Sequence, residues 1–321
     1  MKHKYTIGIG LNLFDARAVL LRQDGKIMAQ IEQKRGKISV NEVIEDLLKL
    51  FEAILAKTKK YKEDISGVGV ALGGIINSKK GEVYWPQQSG ASYVYTSLPL
   101  KDYLQKKFGF PVVLENDANA CVWAEHLTNY PKNKNIVYMF SGVGAGIIAN
   151  GALYRGKNGK AGELFLNPRK EMYSALGDFS FLGQWPADLG MVERAKSLIS
   201  MGGESSLIKR ITSTGELALS AIFEEAKKKD RIARQIIKEA AFSLGVKIAF
   251  IVNFLNPELI IIGGGMEDGG EVLLEECSNA VKNFCMSEMR KNLKICLSQL
   301  GKQATSIGAA LLSFREKTLH G

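Results

Sequence analysis

The chain has 321 residues, long enough for two domains with separate cores, and its 46% hydrophobic content is that of an ordinary globular protein, which excludes a disordered chain. The formal net charge of +10 is scattered in short runs such as Lys57-Thr58-Lys59-Lys60 and Lys227-Lys228-Lys229; solvated helix ends and a surface attractive to anions both fit it. The four cysteines (Cys121, Cys277, Cys285, Cys296) form no C-x-x-C pair and only three histidines exist, so a Cys/His metal site is not expected and the thiols read as buried groups in a reducing compartment.

The opening MKHKYTIGIG lacks the apolar stretch of a signal peptide, and a cytoplasmic protein is expected. Tyr5 to Gly10, Ala16 to Leu21 and Lys26 to Ile31 read as strands, the last two joined at Gln23-Asp24-Gly25. Ser39 and Glu42 fit a capping box ahead of a helix with Val43, Ile44, Leu47, Leu48, Phe51, Ile54 and Leu55 on one face. Gly67 to Leu72 is a buried strand ending in Gly73-Gly74, followed by a Gln-, Ser- and Tyr-rich loop from Trp85 to Ser97. Leu100 to Lys106 is helical, Val112 to Leu114 is a strand, and Glu115-Asn116-Asp117 leads into a helix beginning near Ala118.

Asn135 to Tyr154 carries no charge over about the length of a membrane span. Its four glycines argue instead for two strands, Ile136 to Phe140 and Ala145 to Ala149, around a tight turn, and no membrane association is expected. An irregular insert covers Asn167 to Pro186. A long helix then runs from Arg231 to Leu255 and stops at Asn256-Pro257. Leu259 to Ile262 is a short strand entering Gly263-Gly264-Gly265, and Thr305 to Glu316 is a segment suited to folding back on the first domain. Strands alternating with helices imply α/β layers. The division is expected near residue 120, giving domains 1–120 (with 303–321 packed back) and 121–302.

Three segments could carry chemistry. Glu115 to Ala120 (E-N-D-A-N-A) places polar side chains at the carboxyl edge of a sheet, where ligands bind in open α/β folds. There Asp117 can accept a hydroxyl proton and Asn116 can orient a polyol, or both simply cap the helix. Ser141-Gly142-Val143-Gly144-Ala145-Gly146 can present backbone N–H groups to phosphate, or serve only as a hairpin. Gly263 to Gly265 admit a flat ligand close to the backbone, or make a helix-entry turn. Glu163, in Ala161-Gly162-Glu163, is a site carboxylate or a surface charge.

The order of these segments, with Asn150-Gly151 through Glu163 (N-G-x-L-Y-R-G-x-N-G-x-A-G-E) between them, resembles the ROK (repressor, open reading frame, kinase) family over nearly the whole chain. The resemblance implies a two-domain actin/hexokinase-like α/β fold. It implies that Asp117 matches the catalytic base, that Asn116 and Glu163 bind sugar with Gly73 and Gly74 nearby, and that Ser141, Gly142 and Gly144 match the second phosphate loop. Gly263, Gly264 and Gly265 match the adenosine-side glycines. A homodimer is implied as well.

Two departures stand out. The family's first phosphate turn opens on a magnesium-holding Asp; Gly10 takes that position, Asn12-Leu13-Phe14 replaces the glycine turn, and Asp15 falls where the family often has a basic residue. The family's zinc motif is also missing: its His position is Leu166, no cysteine lies between Cys121 and Cys277, and no zinc is expected. Tyr173, Phe179, Phe181 and Trp185 either pack within the insert or stack on a ring. Phosphoryl transfer needs metal and cationic groups to spread charge, so Gly10 argues against efficient ATP use. Three functions fit: a non-catalytic sugar-binding sensor, an ATP- and Mg²⁺-dependent sugar kinase with Asp117 as base, or a retained fold with a new ligand. With the first strand starting near Tyr5, no helix-turn-helix precedes it and direct nucleic-acid binding is not expected.

Overall fold

The computed structural model describes residues 4–12, 15–34, 40–89, 92–164, 187–214 and 217–319. The chain divides into two compact units: Met1–Lys134, Gly146–Gly162 and Lys302–Gly321 form the first, and Asn135–Ala145 and Glu163–Gly301 the second. The expected division near residue 120 falls inside a helix, Asp117–Thr128, that belongs wholly to the first unit.

The first unit is built on a five-stranded sheet. Strands β1 (Tyr5–Leu11), β2 (Asp15–Arg22) and β3 (Ile27–Lys34) are followed by helix α1 (Val40–Lys57) and strand β4 (Ile65–Leu72). Next come β5 (Ile75–Asn77), β6 (Glu82–Ser89), β7 (Ser92–Leu98), helix α2 (Leu100–Phe108), β8 (Val112–Asn116) and α3 (Asp117–Thr128). The order is β3-β2-β1-β4-β8, with β1, β4 and β8 parallel, β2 antiparallel to β1, and β3 antiparallel to β2. Ser39 of the expected capping box lies outside the described residues. The segment expected as a loop from Trp85 to Ser97 is instead largely the β6–β7 hairpin, in register from Val83↔Leu98 to Ser89↔Ser92, with β5 beside β6. Its Val and Tyr residues suit a pleated surface, and the Gln and Ser content that suggested a loop is tolerated in a small sheet.

Period two explains the two faces of the main sheet. Ile7, Ile9 and Leu11 join Val43, Leu47, Leu50, Phe51 and Ile54 of α1 in one core. The alternate positions are Thr6, Gly8 and Gly10, and their face receives helix α10 (Ala304–Leu319). That helix opens with Ala304, Thr305, Ser306, Ile307, Gly308, Ala309 and Ala310, all but Ile307 small, which lets its backbone lie on the strands. A Cβ at Gly8 would stand 2.0 Å from Ser306 O, one at Gly69 1.8 Å from Ala309 O, and one at Gly308 1.9 Å from Ala120 O. The expected return of the C-terminal segment to the first unit is therefore what its glycines make possible.

In the second unit, β9 (Ile136–Phe140) leads into β10 (Gly144–Ala149), whose later residues continue into the first unit and pair there with β11 (Ala152–Leu153). The insert from Asn167 to Pro186, with Leu166 and its aromatic residues, lies outside the described residues. Helices α4 (Ala187–Ser200), α5 (Leu207–Thr214), α6 (Leu219–Lys227) and α7 (Arg231–Leu255) follow. Then come β12 (Leu259–Gly263), α8 (Gly270–Phe284), the short α9 (Ser287–Arg290) and β13 (Lys294–Leu297). Strand β12 is buried at every residue and runs parallel to β9 on one side and β13 on the other. Helix α7 starts with Asp230 accepting from Ala233 N and ends at Asn256, whose φ of 47° makes a left-handed cap, with Pro257 beyond it unable to continue the helix. Among the described residues no helix is long and apolar enough to cross a membrane.

Candidate functional site

Within the first unit the E-N-D-A-N-A segment is a strand-to-helix junction. Asn116 is the N-cap of α3: its Oδ1 accepts from Ala118 N (2.9 Å) and Asn119 N (3.2 Å), and its Nδ2 donates to Gly74 O at 3.3 Å. Asp117 is buried, with Oδ1 accepting from Ala118 N (2.8 Å). Its other oxygen lies 3.2 Å from where a Cβ at Gly73 would be, so Asn116, Asp117, Gly73 and Gly74 come together. The cap uses Oδ1 of both side chains, and Asn116 Nδ2 ties the junction to Gly74.

Glu115, only 1% exposed, underpins this junction. Its Oε1 accepts from Asn116 N (3.0 Å) and Asn119 Nδ2 (3.1 Å), and its Oε2 accepts from Arg155 Nε at 2.6 Å. Arg155 belongs to the N-G-x-L-Y-R-G stretch. Asn150 and Gly151, with φ of 52° and 78°, form the two-residue connection of the β10–β11 hairpin, as type I′ geometry requires. The loop then lies against β5, where a Cβ at Gly159 would meet Ser78 Oγ at 2.7 Å, and Lys160 Nζ stands 3.6 Å from the Tyr84 ring centroid. The two most specific motifs of the sequence are therefore one bonded assembly. Sequence reading missed the Glu115–Arg155 pair because 40 residues separate its partners.

At Gly10, a Cβ would lie 2.9 Å from Ser306 N and 2.9 Å from Thr305 Cβ and Cγ2. The position that the family gives to a magnesium-binding Asp is filled by α10. The residues present do not fit a metal held from position 10, and among the described residues no three His, Cys, Asp or Glu side chains group as a metal site. The zinc donors of the family motif are absent from the sequence itself.

The second unit holds the remaining site residues. Ser141 and Gly142, with φ of 48° and 74°, are the central pair of a tight turn closed by Val143 N donating to Phe140 O (3.1 Å). Ser141 N donates to Gly263 O (3.2 Å) and its Oγ to Gly264 O, so this turn and the β12 glycines adjoin. A Cβ at Gly263 would collide with Tyr138 Oη at 1.9 Å, and one at Gly264 with the Phe140 ring at 2.9 Å; these two glycines are required by packing on β9. Gly265 differs: at φ 97° its open side meets nothing nearer than Leu219 Cδ2 at 4.0 Å, leaving room for a ligand. Glu163 bridges to Gly144, and Leu164 N donates to Val143 O (3.0 Å), so Glu163 sits beside the turn. It is exposed, and the surrounding protein raises its carboxyl above the ordinary carboxylate range by desolvation, an effect that water contact limits.

Lys247 on α7 was not anticipated. Its Nζ is buried and donates to Gly142 O at 3.0 Å. Burial lowers its pKa to about 8.

A model of the ROK family matches residues 6–316. The chain belongs to the ROK family. Among its ROK relatives is a xylose repressor of Caldicellulosiruptor bescii, 29% identical over 97% of this chain and 79% of that protein. Another is a glucokinase of Halalkalibacterium halodurans, 27% identical over 97% and 96%. Among solved structures, a ROK transcriptional regulator superposes with a TM-score of 0.73 at 23% identity, covering 99% of this chain and 81% of that one. A Streptomyces griseus ROK glucokinase, solved with glucose and AMPPNP, gives 0.69 at 24% identity, covering 97% and 99%. These similarities give the actin/hexokinase-like fold of the ROK sugar kinases, and relatives of both kinds, kinase and repressor, match almost the whole chain.

Proposed function

We propose that this ROK protein is a sugar-binding sensor, a regulatory or catalytically impaired homologue of the family's kinases. The observation that carries this reading is position 10. It lacks a carboxylate, and the space one would need is taken by Thr305 and Ser306. Phosphoryl transfer relies on a metal-bridged phosphate to neutralise developing charge, and the first unit offers no anchor there.

In this reading Asn116 and Asp117 hydrogen-bond sugar hydroxyls while Gly73 and Gly74 let the sugar approach the backbone, and Glu163 keeps the sugar-binding role that the family resemblance gives it. Ser141, Gly142 and Gly144, with Gly265, form a phosphate- or nucleotide-binding surface, and Gly263 and Gly264 hold the β12 backbone against β9 beneath it. No zinc takes part. The working form is a cytoplasmic homodimer. An exposed apolar stripe on α7 supports the dimer: Phe242, Phe250 and Phe254 recur at multiples of four, flanked by Phe284 and Met286.

A second reading, an ATP-dependent hexose or amino-sugar kinase, is favoured by Asp117. It is buried at the strand-to-helix junction with one oxygen held by Ala118 N, and in this reading its carboxylate takes a hydroxyl proton from a sugar. ATP and Mg²⁺ would supply the phosphoryl group and its charge neutralisation.

Calorimetry against a sugar panel, paired with a coupled ADP-release assay in Mg-ATP on wild type and Asp117→Ala, decides between them. We expect sugar binding with negligible turnover. Turnover above about 1 s⁻¹, the low end for ordinary enzymes, that disappears in Asp117→Ala would establish the kinase. Binding of no sugar at all would overturn both.

A further inference from the structure

Lys247 stands on the buried stripe of α7, three residues after Leu244 and four before Ile251. It is 3% exposed, and every other buried residue of α7 is Ile, Leu, Val, Ala or Gly, so an apolar side chain is the ordinary occupant there. Its ammonium has one hydrogen bond, to the carbonyl of Gly142, and no carboxylate among the described residues pairs with it. A buried cation without a counter-charge is costly, and the lowered pKa expresses that cost. The cost falls at one place: Gly142 lies in the turn whose two central residues both hold left-handed backbone, with buried Ser141 tied to the β12 glycines. Val143 and Gly144, on the same turn, are only half-buried, so the segment also reaches solvent.

We propose that Lys247 is the resident cation of this turn, a positioning residue that supplies through the Gly142 peptide the positive potential needed to hold a phosphate group without a divalent metal. The inference rests on the reading of Ser141 to Gly144 as a phosphate-binding surface and adds to it the source of charge. An ammonium under the turn gives this phosphate surface of the second unit a fixed positive charge of its own. The ligand is an oxyanion of the phosphoryl class, carried on a nucleotide or free.

The test uses the whole protein, with ADP and inorganic phosphate as probes, by calorimetry at pH 7 in EDTA and again in excess Mg²⁺. Wild type is expected to bind ADP with affinities within about threefold of each other in the two buffers. Lys247→Met removes the charge and the hydrogen bond; Lys247→Gln removes the charge but keeps a donor for Gly142 O. Both are expected to weaken ADP at least about tenfold while binding sugar as wild type does, which verifies folding. If Lys247→Gln binds ADP like wild type, the lysine is only a structural donor and the proposal fails while the phosphate reading stands. A requirement for Mg²⁺ in wild type also refutes it. If wild type binds neither ADP nor phosphate in either buffer, the phosphate reading itself fails, and the proposal with it.

Discussion

Arg155→Met is the sharpest perturbation of the site that leaves Asn116 and Asp117 in place. Glu115 is 1% exposed and keeps two donors on Oε1, Asn116 N and Asn119 Nδ2, when the arginine is gone. Its Oε2, which accepts from Arg155 Nε at 2.6 Å, would be left as a buried anionic oxygen with no cation. Breaking a buried ion pair from one side costs about 3–5 kcal/mol. Because the arginine side chain is 29% exposed, water can reach part of the gap, and a loss of about 3 kcal/mol is expected. Adding Glu115→Gln to Arg155→Met removes the stranded charge, so the double variant should recover at least about 1.5 kcal/mol relative to additivity. Urea denaturation followed by tryptophan fluorescence, to which the buried Trp123 of α3 contributes, measures both single variants and the double. A cost below about 0.5 kcal/mol for Arg155→Met, or strictly additive energies, would refute the view that this pair ties the two motifs together.

Gly10→Asp should not restore Mg-ATP turnover, because its side chain must displace Thr305 and the Ser306 backbone; a loss of about 1–3 kcal/mol by overpacking is expected, and a stable variant that gains turnover would contradict this. Lys247→Met should stabilise the protein by up to about 3 kcal/mol at pH 7, since the folded-state pKa of about 8 lies below the ordinary 10.5 and each unit is worth about 1.4 kcal/mol. The sign follows from proton uptake by the unfolded chain: the penalty is full below about pH 8, shrinks as pH rises from there, and is gone above about 10.5. Thermal denaturation of both proteins across that range checks it, and a pH-independent difference would refute it. Phe250→Asp with Phe254→Asp should convert the proposed dimer to monomer in light scattering while leaving sugar affinity unchanged; a wild type that is monomeric, or a variant that stays dimeric, removes the stripe from the interface.

Features set by short-range rules were legible in the sequence. The apolar runs of β4, β9 and β12, the 3.6-residue stripe of α7 with its Asn256-Pro257 stop, and the glycine turns all come from chemistry within a few residues. Residues whose meaning depends on a distant partner were not. Gly8, Gly10 and Gly69 look like flexible strand glycines until α10, at the far end of the chain from β1, is found lying on them. Gly263 and Gly264 invite a ligand by sequence, yet Tyr138 and Phe140 already use the space, and only Gly265 keeps an open side.

Lys247 did leave a trace, a charged residue on an otherwise apolar stripe, but the trace cannot say whether the ammonium escapes to water or turns inward. Position 10 shows the same limit from the other direction. A missing carboxylate is visible as a letter, and it reads as the loss of one metal ligand. The packing of Thr305 against Gly10 adds what the letter does not show: the position is part of the seat of a helix. Any side chain placed there must move α10, so the proposed impairment rests on the packing of two elements as well as on one absent carboxylate.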